Sequence, residues 1–252
     1  TSGDNNVAVG YYAGTAVTTG GHNTLIGEKA GLALTTGYMN TYLGRHAGYT
    51  ATEGNQNTGV GVYALYSSVG ANYYNSALGY LAGHDITTGD NNLMLGKEAG
   101  RSSSPSGSVT TADNQVCLGD DNITAIFCAD TSISSSDKRD KTDIENFTAG
   151  LSFIEKMQPV TYKWDKRSWY SDDLSATPDG SKKAIETNVG FLAQDVEALE
   201  KEIGFANDKN DMLFANLTND GQRYGMKYER LVTVLVNAVK ELSTKVKALE
   251  DA

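Results

Sequence analysis

Apolar and polar positions follow two different rhythms along this chain, and the change of rhythm divides it. In the first half apolar residues recur singly and at long intervals. Val9, Ile26, Leu43, Val60, Leu78 and Leu95 each precede a glycine, and those glycines (Gly10, Gly27, Gly44, Gly61, Gly79, Gly96) stand 17, 17, 17, 18 and 17 residues apart. An asparagine lies four residues before each glycine (Asn6, Asn23, Asn40, Asn57, Asn75, Asn92) and an alanine three after it (Ala13, Ala30, Ala47, Ala64, Ala82, Ala99). A second glycine usually follows the alanine. The unit therefore reads N-x-x-aliphatic-G-x-x-A-G with a Thr/Gly-rich link, and a degenerate copy ends at Leu118-Gly119 after a looser stretch around 102–108.

A fixed period of this size predicts stacked structural repeats. Each unit supplies one or two short strand pieces. Glycine permits positive φ and close backbone approach, and asparagine tolerates left-handed geometry while bonding its own backbone. One aliphatic residue and one alanine per unit make a thin core, too little for a unit to fold alone. Either successive coils of one chain stack as a solenoid, or several chains wrap together and pool their apolar stripes along a shared axis. The period leaves both open.

After Ile144 apolar residues return more densely. Leu151, Phe153, Ile154 and Met157 predict a short helix that stops before Pro159. Val160–Trp164 alternates like a strand, and a polar excursion from Asp165 to Thr187 contains the turn Pro178-Asp179-Gly180. Asn188–Leu192 is expected to be a strand and Ala193–Glu202 a helix, followed by a variable segment to about Gly221. Tyr228, Val232, Leu235, Val239, Leu242, Val246 and Leu249 are spaced 4, 3, 4, 3, 4, 3, which is the seam of a coiled coil. That helix is expected over about 226–250, with Val at a and Leu at d.

Composition narrows the function classes. The 252 residues carry 21 Lys+Arg against 31 Asp+Glu, a formal charge of −10, which disfavours nucleic acid and anionic membrane as partners. No apolar run approaches the length of a transmembrane helix, and no basic-then-apolar leader opens the sequence. Cys117 and Cys128 sit in short β-like runs and are expected to be small buried side chains. His22, His46 and His84 are scattered without ligand spacing, so neither a metal nor another cofactor is expected. The acids of the repeats are unpaired, which gives no glycosidase signature. Exposed Tyr11, Tyr12, Tyr73 and Tyr74 offer contacts for a surface glycan.

The junction 134–144 carries the candidate chemistry. A serine needs a base to become a nucleophile at neutral pH, and lysine serves when burial or a cationic neighbour favours its neutral form. Ser136 and Lys141 are close enough in sequence for a bend to bring Nζ to Oγ. By composition alone the run is a solvated linker.

The blocks that follow change that. Ser136-Asp137-Lys138-Arg139-Asp140-Lys141-Thr142-Asp143-Ile144 resembles the head of the self-cleaving C-terminal intramolecular chaperone domain of phage tail fibres, tailspikes and endosialidases. Pro159–Trp164, Val189–Glu197 and Tyr224–Tyr228 follow in the family's order, so the resemblance spans about 137–252. It implies Ser136 as nucleophile, Lys141 as general base and Ser136-Asp137 as the scissile bond. Asp140 departs from the apolar residue usual at its place.

The expected architecture is thus a mainly β repeat shaft over 1–136, intertwined as a trimeric β-helix-like fibre. A small α+β chaperone and autoprotease domain over 137–252 follows it and ends in a coiled-coil helix. The resemblance implies a homotrimer in the virion tail fibre, made in the host cytoplasm, whose shaft folds on the pre-assembled domain before the domain is cut away. One alternative is a non-cleaving trimerisation and host-adhesion module that engages a receptor or glycan. Another is a single-chain solenoid that binds ice or glycan, since Thr18-Thr19, Thr35-Thr36 and Thr87-Thr88 repeat along it.

Overall fold

A computed structural model describes residues 3–123, 125–126, 136–171 and 173–252. Cys128, Ser134 and Ser135 lie outside the described residues. The chain divides into two compact units, one of residues 1–124, 165–182 and 218–223, the other of residues 125–164, 183–217 and 224–252.

The first unit is built on seven three-residue strands: β1 (Val7–Val9), β2 (Thr24–Ile26), β3 (Thr41–Leu43), β4 (Thr58–Val60), β5 (Ser76–Leu78), β6 (Leu93–Leu95) and β7 (Val116–Leu118). They form one parallel sheet in sequence order. Each repeat pairs with the next repeat of the same chain, with Leu25 opposite Tyr42, Tyr42 opposite Gly59 and Gly59 opposite Ala77. The shaft is therefore a single-chain β-solenoid, and the intertwined arrangement is corrected. The backbone groups that intertwining needs are already bound to the neighbouring coil: Thr24 N donates to Asn40 O at 2.8 Å, Gly27 N to Val9 O at 2.8 Å and Thr41 N to Asn57 O at 2.9 Å.

A three-residue strand sends one side chain inward and two outward. The inward residues are the strand centres Leu25, Tyr42, Gly59, Ala77, Met94 and Cys117, all buried. The repeated aliphatic residue therefore points out, and Leu43, Leu78 and Leu118 are exposed. The core is completed by the alanines Ala30, Ala47, Ala64, Ala82 and Ala99 and by Leu34, Leu65, Ile86 and Val109. It is thicker than the motif implied, because the strand centre changes identity from coil to coil and so drops out of the motif. Gly59 makes room for its large neighbour: a Cβ there would lie 3.2 Å from the Tyr42 ring.

A buried asparagine ladder runs beside the strands. Asn40 N and Nδ2 both donate to Asn23 Oδ1, at 2.9 and 3.1 Å, and Nδ2 also donates to Gly54 O at 2.7 Å. Asn57 repeats the pattern onto Asn40 Oδ1. The glycine after each strand marks where the coils come closest. Gly44 has φ +140°, and a Cβ on it would stand 2.4 Å from the Gly61 carbonyl oxygen. Gly44→Ala is expected to destabilise the solenoid by roughly 3 kcal/mol, through strain and backbone collision together. A lowered thermal midpoint by circular dichroism checks this; an unchanged midpoint contradicts the close stacking.

The second unit holds α1 (Leu151–Lys156), β8 (Val160–Tyr162), β9 (Asn188–Gly190), α2 (Ala193–Glu202), β10 (Ala215–Leu217), β11 (Tyr224–Met226) and α3 (Leu231–Glu250). β8 pairs antiparallel with β9, and β10 with β11. The core gathers Phe153, Met157, Val196, Phe214, Leu231 and Val234. Glu200 of α2 is fully buried, and its carboxylate accepts from the backbone N–H groups of Leu213, Phe214 and Ala215. These three bonds pin the strand β10 inside the segment expected to be variable.

Two expectations shift here. The final helix begins at Leu231, after a 3₁₀ turn over Tyr228–Arg230, because Tyr224–Met226 is taken up by the hairpin with β10. Of the polar excursion after β8, residues 165–182 pack within the first unit rather than the second.

Candidate functional site

The site begins with a tight turn in the second unit. Asp137 caps a 3₁₀ turn over Lys138–Asp140, its Oδ1 accepting from Arg139 N at 2.9 Å. The Arg139 guanidinium folds back on the same carboxylate, with Nε 3.1 Å from both oxygens. These hydrogen bonds hold the Asp137 carboxyl below its usual range, with the Arg139 side chain as the main cause. Lys141 N donates to Lys138 O at 3.3 Å and so closes the turn.

The turn reverses the chain within five residues and places Lys141 Nζ 2.7 Å from Ser136 Oγ, as a hydrogen bond donated by the amine. A nucleophile and a base must meet at about this distance before a proton can move between them. Both side chains are exposed, and Asp140 is exposed beside them.

The segment leading from the turn to α1 is tied to α3. Asn237 Nδ2 donates to the carbonyls of Phe147 and Ala149 at 2.8 and 3.1 Å, and Glu241 Oε2 accepts from Leu151 N at 3.2 Å. α3 has two faces. Leu231, Val234 and Ala238 are buried, whereas Val232, Leu235, Val239, Leu242, Val246 and Leu249 are all exposed. The anchors Asn237 and Glu241 do not stand out in the sequence, since a polar residue on an amphipathic helix ordinarily faces water.

The other residues singled out in the sequence fall on the solenoid. Its coils bring His46, Tyr49, Tyr63, Tyr66 and His84 into one aromatic cluster. Tyr66 stacks between Tyr49 and His84, with ring centroids 4.9 and 5.0 Å away. The one-coil spacing of these rings makes the cluster, although the linear sequence scatters them. His84 Nδ1 lies 2.8 Å from Asp85 Oδ1. The His46 imidazole is pushed below its usual pKa, first by burial and then by Arg45 and Lys29. No group of three or more His, Cys, Asp or Glu suited to a metal ion occurs among the described residues. Tyr11, Tyr12 and Tyr74 are exposed and Tyr73 is half-buried. The threonine hydroxyls serve the stacking, since Thr18, Thr35 and Thr87 each donate Oγ1–H to a carbonyl of the next coil. No described helix is long and apolar enough to cross a membrane.

Residues 136–205 match the family model described as chaperone of endosialidase, a family of phage tail proteins and of self-cleaving serine peptidase type. The match opens at Ser136 and takes in the turn, α1, β8, β9 and α2. No curated protein and no solved structure matches the chain. The family match, together with the β-solenoid before it, supports a chaperone of tail-fibre folding.

Proposed function

We propose that the C-terminal unit assembles three copies of this chain through α3, guides folding of the three solenoids, and is then severed by a cut beside Ser136. The observation that carries the reading is the Lys141 Nζ–Ser136 Oγ hydrogen bond of 2.7 Å at the first residue of the family match. In this reading the neutral amine of Lys141 takes the Oγ proton as Oγ attacks a backbone carbonyl carbon. The resulting ammonium returns a proton to the leaving amide nitrogen. Water then hydrolyses the ester, leaving a carboxylate on the shaft and a free amino terminus on the C-terminal piece.

Ring size constrains which bond breaks. Oγ attack on the carbonyl of Ser136 itself closes a four-membered ring, whereas attack on the preceding carbonyl closes a five-membered one. Cleavage of Ser136-Asp137 is therefore best served by the serine of a neighbouring copy, which an assembled trimer supplies. Association also supports the base, because a neighbour that covers Nζ favours the neutral amine. The exposure of both side chains in one copy fits a catalyst completed on assembly.

Two measurements on purified protein test this. The C-terminal fragment is expected to begin at Asp137 by terminal sequencing; a start at Ser136 indicates the five-membered route within one chain. Light scattering is expected to give the mass of a trimer. Val239→Glu with Leu242→Glu places charges on the exposed seam, away from the unit's own core, and is expected to yield monomers that fold but remain uncut. A trimer in this double variant removes α3 from the assembly, and a monomeric parent favours a stand-alone solenoid. An uncut trimeric parent favours the non-cleaving adhesion module, in which the exposed tyrosines meet a host glycan or receptor.

The mechanical logic follows from the shaft. Every strand pairs with a coil 17, 18 or 23 residues away, and a long stack leaves an unpaired edge exposed while it grows. A folded unit at one end lowers that hazard by holding three chains at high effective concentration. The proposed setting is the phage tail fibre, with assembly in the host before incorporation into the virion. The chemistry described uses side chains alone and calls for no cofactor.

A further inference from the structure

The last coil of the solenoid ends at Asp121, a buried carboxylate that later stretches of the chain come back to satisfy. Arg223 Nη1 donates to Asp121 Oδ2 at 2.7 Å, and both side chains are largely buried, 14% and 6% exposed. Ser168 Oγ donates to the same oxygen, and Lys166 Nζ donates to the Asp121 carbonyl at 2.8 Å. Arg223 Nη2 also takes the carbonyl of Ser102. Asp220 Oδ2 accepts from Ser108 N at 3.0 Å. Ser102 and Ser108 belong to the loop that lengthens this coil from 17 to 23 residues. The two returning stretches are joined to each other, Arg223 on one side of the hairpin turn and Arg167 Nη2 donating to Gln222 O at 2.6 Å.

The end of a parallel stack otherwise presents unpaired backbone groups and an open edge. Here three backbone groups of the last coil, Ser102 O, Ser108 N and Asp121 O, are taken by charged side chains, and the buried carboxylate is paired rather than stranded. All of these contacts lie within the first compact unit. Yet their two sides stand on opposite sides of Ser136 in the chain. Ser102, Ser108 and Asp121 precede it, while Lys166, Ser168, Asp220 and Arg223 follow it.

We propose that residues 165–182 and 218–223 form a non-covalent latch on the end of the solenoid, so that cutting beside Ser136 does not by itself part the two pieces. The partner of the solenoid end is thus the C-terminal piece of the chain, recognised by Arg223 and Ser168 on the buried Asp121 carboxylate and by Lys166 on the backbone carbonyl of the same residue. This rests on the cleavage reading above. Release is then a second event, set by the strength of the Asp121–Arg223 pair. Until that event the fragment remains as a cap that keeps the last coil closed.

The test uses the full chain and separates the latch from self-cleavage. A recognition sequence for an added protease is placed within residues 129–135 of the Ser136→Ala chain, and the protein is cut after folding. The two pieces are expected to elute together on size exclusion while giving two bands on a denaturing gel. The wild-type chain, if it cuts itself, is expected to do the same, so failure of self-cleavage leaves the latch arm readable. Arg223→Met and Asp121→Asn are each expected to weaken the association of the cut pieces by about 100-fold, the scale for breaking one side of a buried charge pair. The double variant is expected to be no weaker than the worse single one, because the two act on one interaction. Circular dichroism of the uncut variants establishes that the solenoid has formed, and Arg223→Lys serves if Arg223→Met does not fold, with an intermediate loss. Separation of the parent pieces on cutting overturns the proposal. Equal co-elution of parent and folded variants overturns it as well.

Discussion

A Ser136→Ala chain is expected to run as one band near its full 26.9 kDa on a denaturing gel, where the unsubstituted protein gives two. Lys141→Ala is expected to give the same single band. The geometry sets this expectation: the turn over Lys138–Asp140 delivers one amine to one hydroxyl at 2.7 Å. With Oγ removed, no nucleophile remains at that position. With Nζ removed, Oγ keeps its proton at neutral pH and reacts at a negligible rate. Rate losses from removing a member of such a pair run to about 1000-fold or more, which turns a single-turnover reaction of minutes into one of days. Lys141→Arg keeps the charge and the reach but holds its proton, so it is expected to remain uncut. That variant distinguishes a base from a mere electrostatic contact. Cleavage of Ser136→Ala at the unsubstituted rate rejects Ser136 as nucleophile, and cleavage of Lys141→Arg at that rate rejects Lys141 as base.

The second large effect lies in the asparagine ladder. Asn40→Ala removes two donors and an acceptor from a site with no solvent exposure. The Gly54 carbonyl loses its 2.7 Å partner, Asn57 N loses its 3.0 Å acceptor, and Asn23 Oδ1 keeps only the backbone half of its bond from Asn40. Each buried group left unsatisfied costs roughly 1–3 kcal/mol, so a loss of about 4 kcal/mol is expected. Asn40→Asp conserves the shape but presents a carboxylate to two carbonyl oxygens, and it is expected to be at least as damaging at pH 7. Thermal unfolding followed by circular dichroism reads both. An Asp variant as stable as the parent shows that the ladder is not closed to water.

The repeat was legible in outline from particular residues. The glycine spacing set the coil length, and the asparagines marked a constant position on each coil. What the spacing left open was the partner of each strand. One chain and three chains satisfy the same period, and only the pairing of Leu25 with Tyr42 within one chain separates them. The direction of the aliphatic residue was hidden for a related reason. Leu43 and Leu78 recur because they stand beside the structural glycine, while the buried Tyr42 and Ala77 vary coil by coil. Nor did sequence mark the left-handed backbone at Lys29, His46, Tyr63, Leu81 and Glu98, since non-glycine residues there carry no local signature. The stacked coils hold them in place through backbone bonds such as His46 N to Glu28 O at 2.9 Å.

In the second unit, α2 occupies the span its apolar spacing predicted, and α1 stops before Pro159 as proline requires. α3 starts at Leu231, five residues after the start its seam predicts near 226, because the seam pattern continues through Tyr228 while a hairpin claims the backbone before it. The latch at Asp121 had no sequence signal at all: Arg223 lies 102 residues away, and its charge reads as one more surface cation.

By itself the sequence determined the coil length, the apolar spacing of the last helix and the change of rhythm between the two halves, and it proposed the Ser136–Lys141 pair. Those are local or periodic properties, written in spacing and residue type. The tertiary structure decided that coils of one chain stack on each other, which strand residue is buried, and that residues 165–182 and 218–223 return to the end of the stack. Each of these depends on contacts between residues far apart in the chain. Their energy comes from burial and from satisfying backbone groups across the gap, and no local pattern records which distant groups will meet.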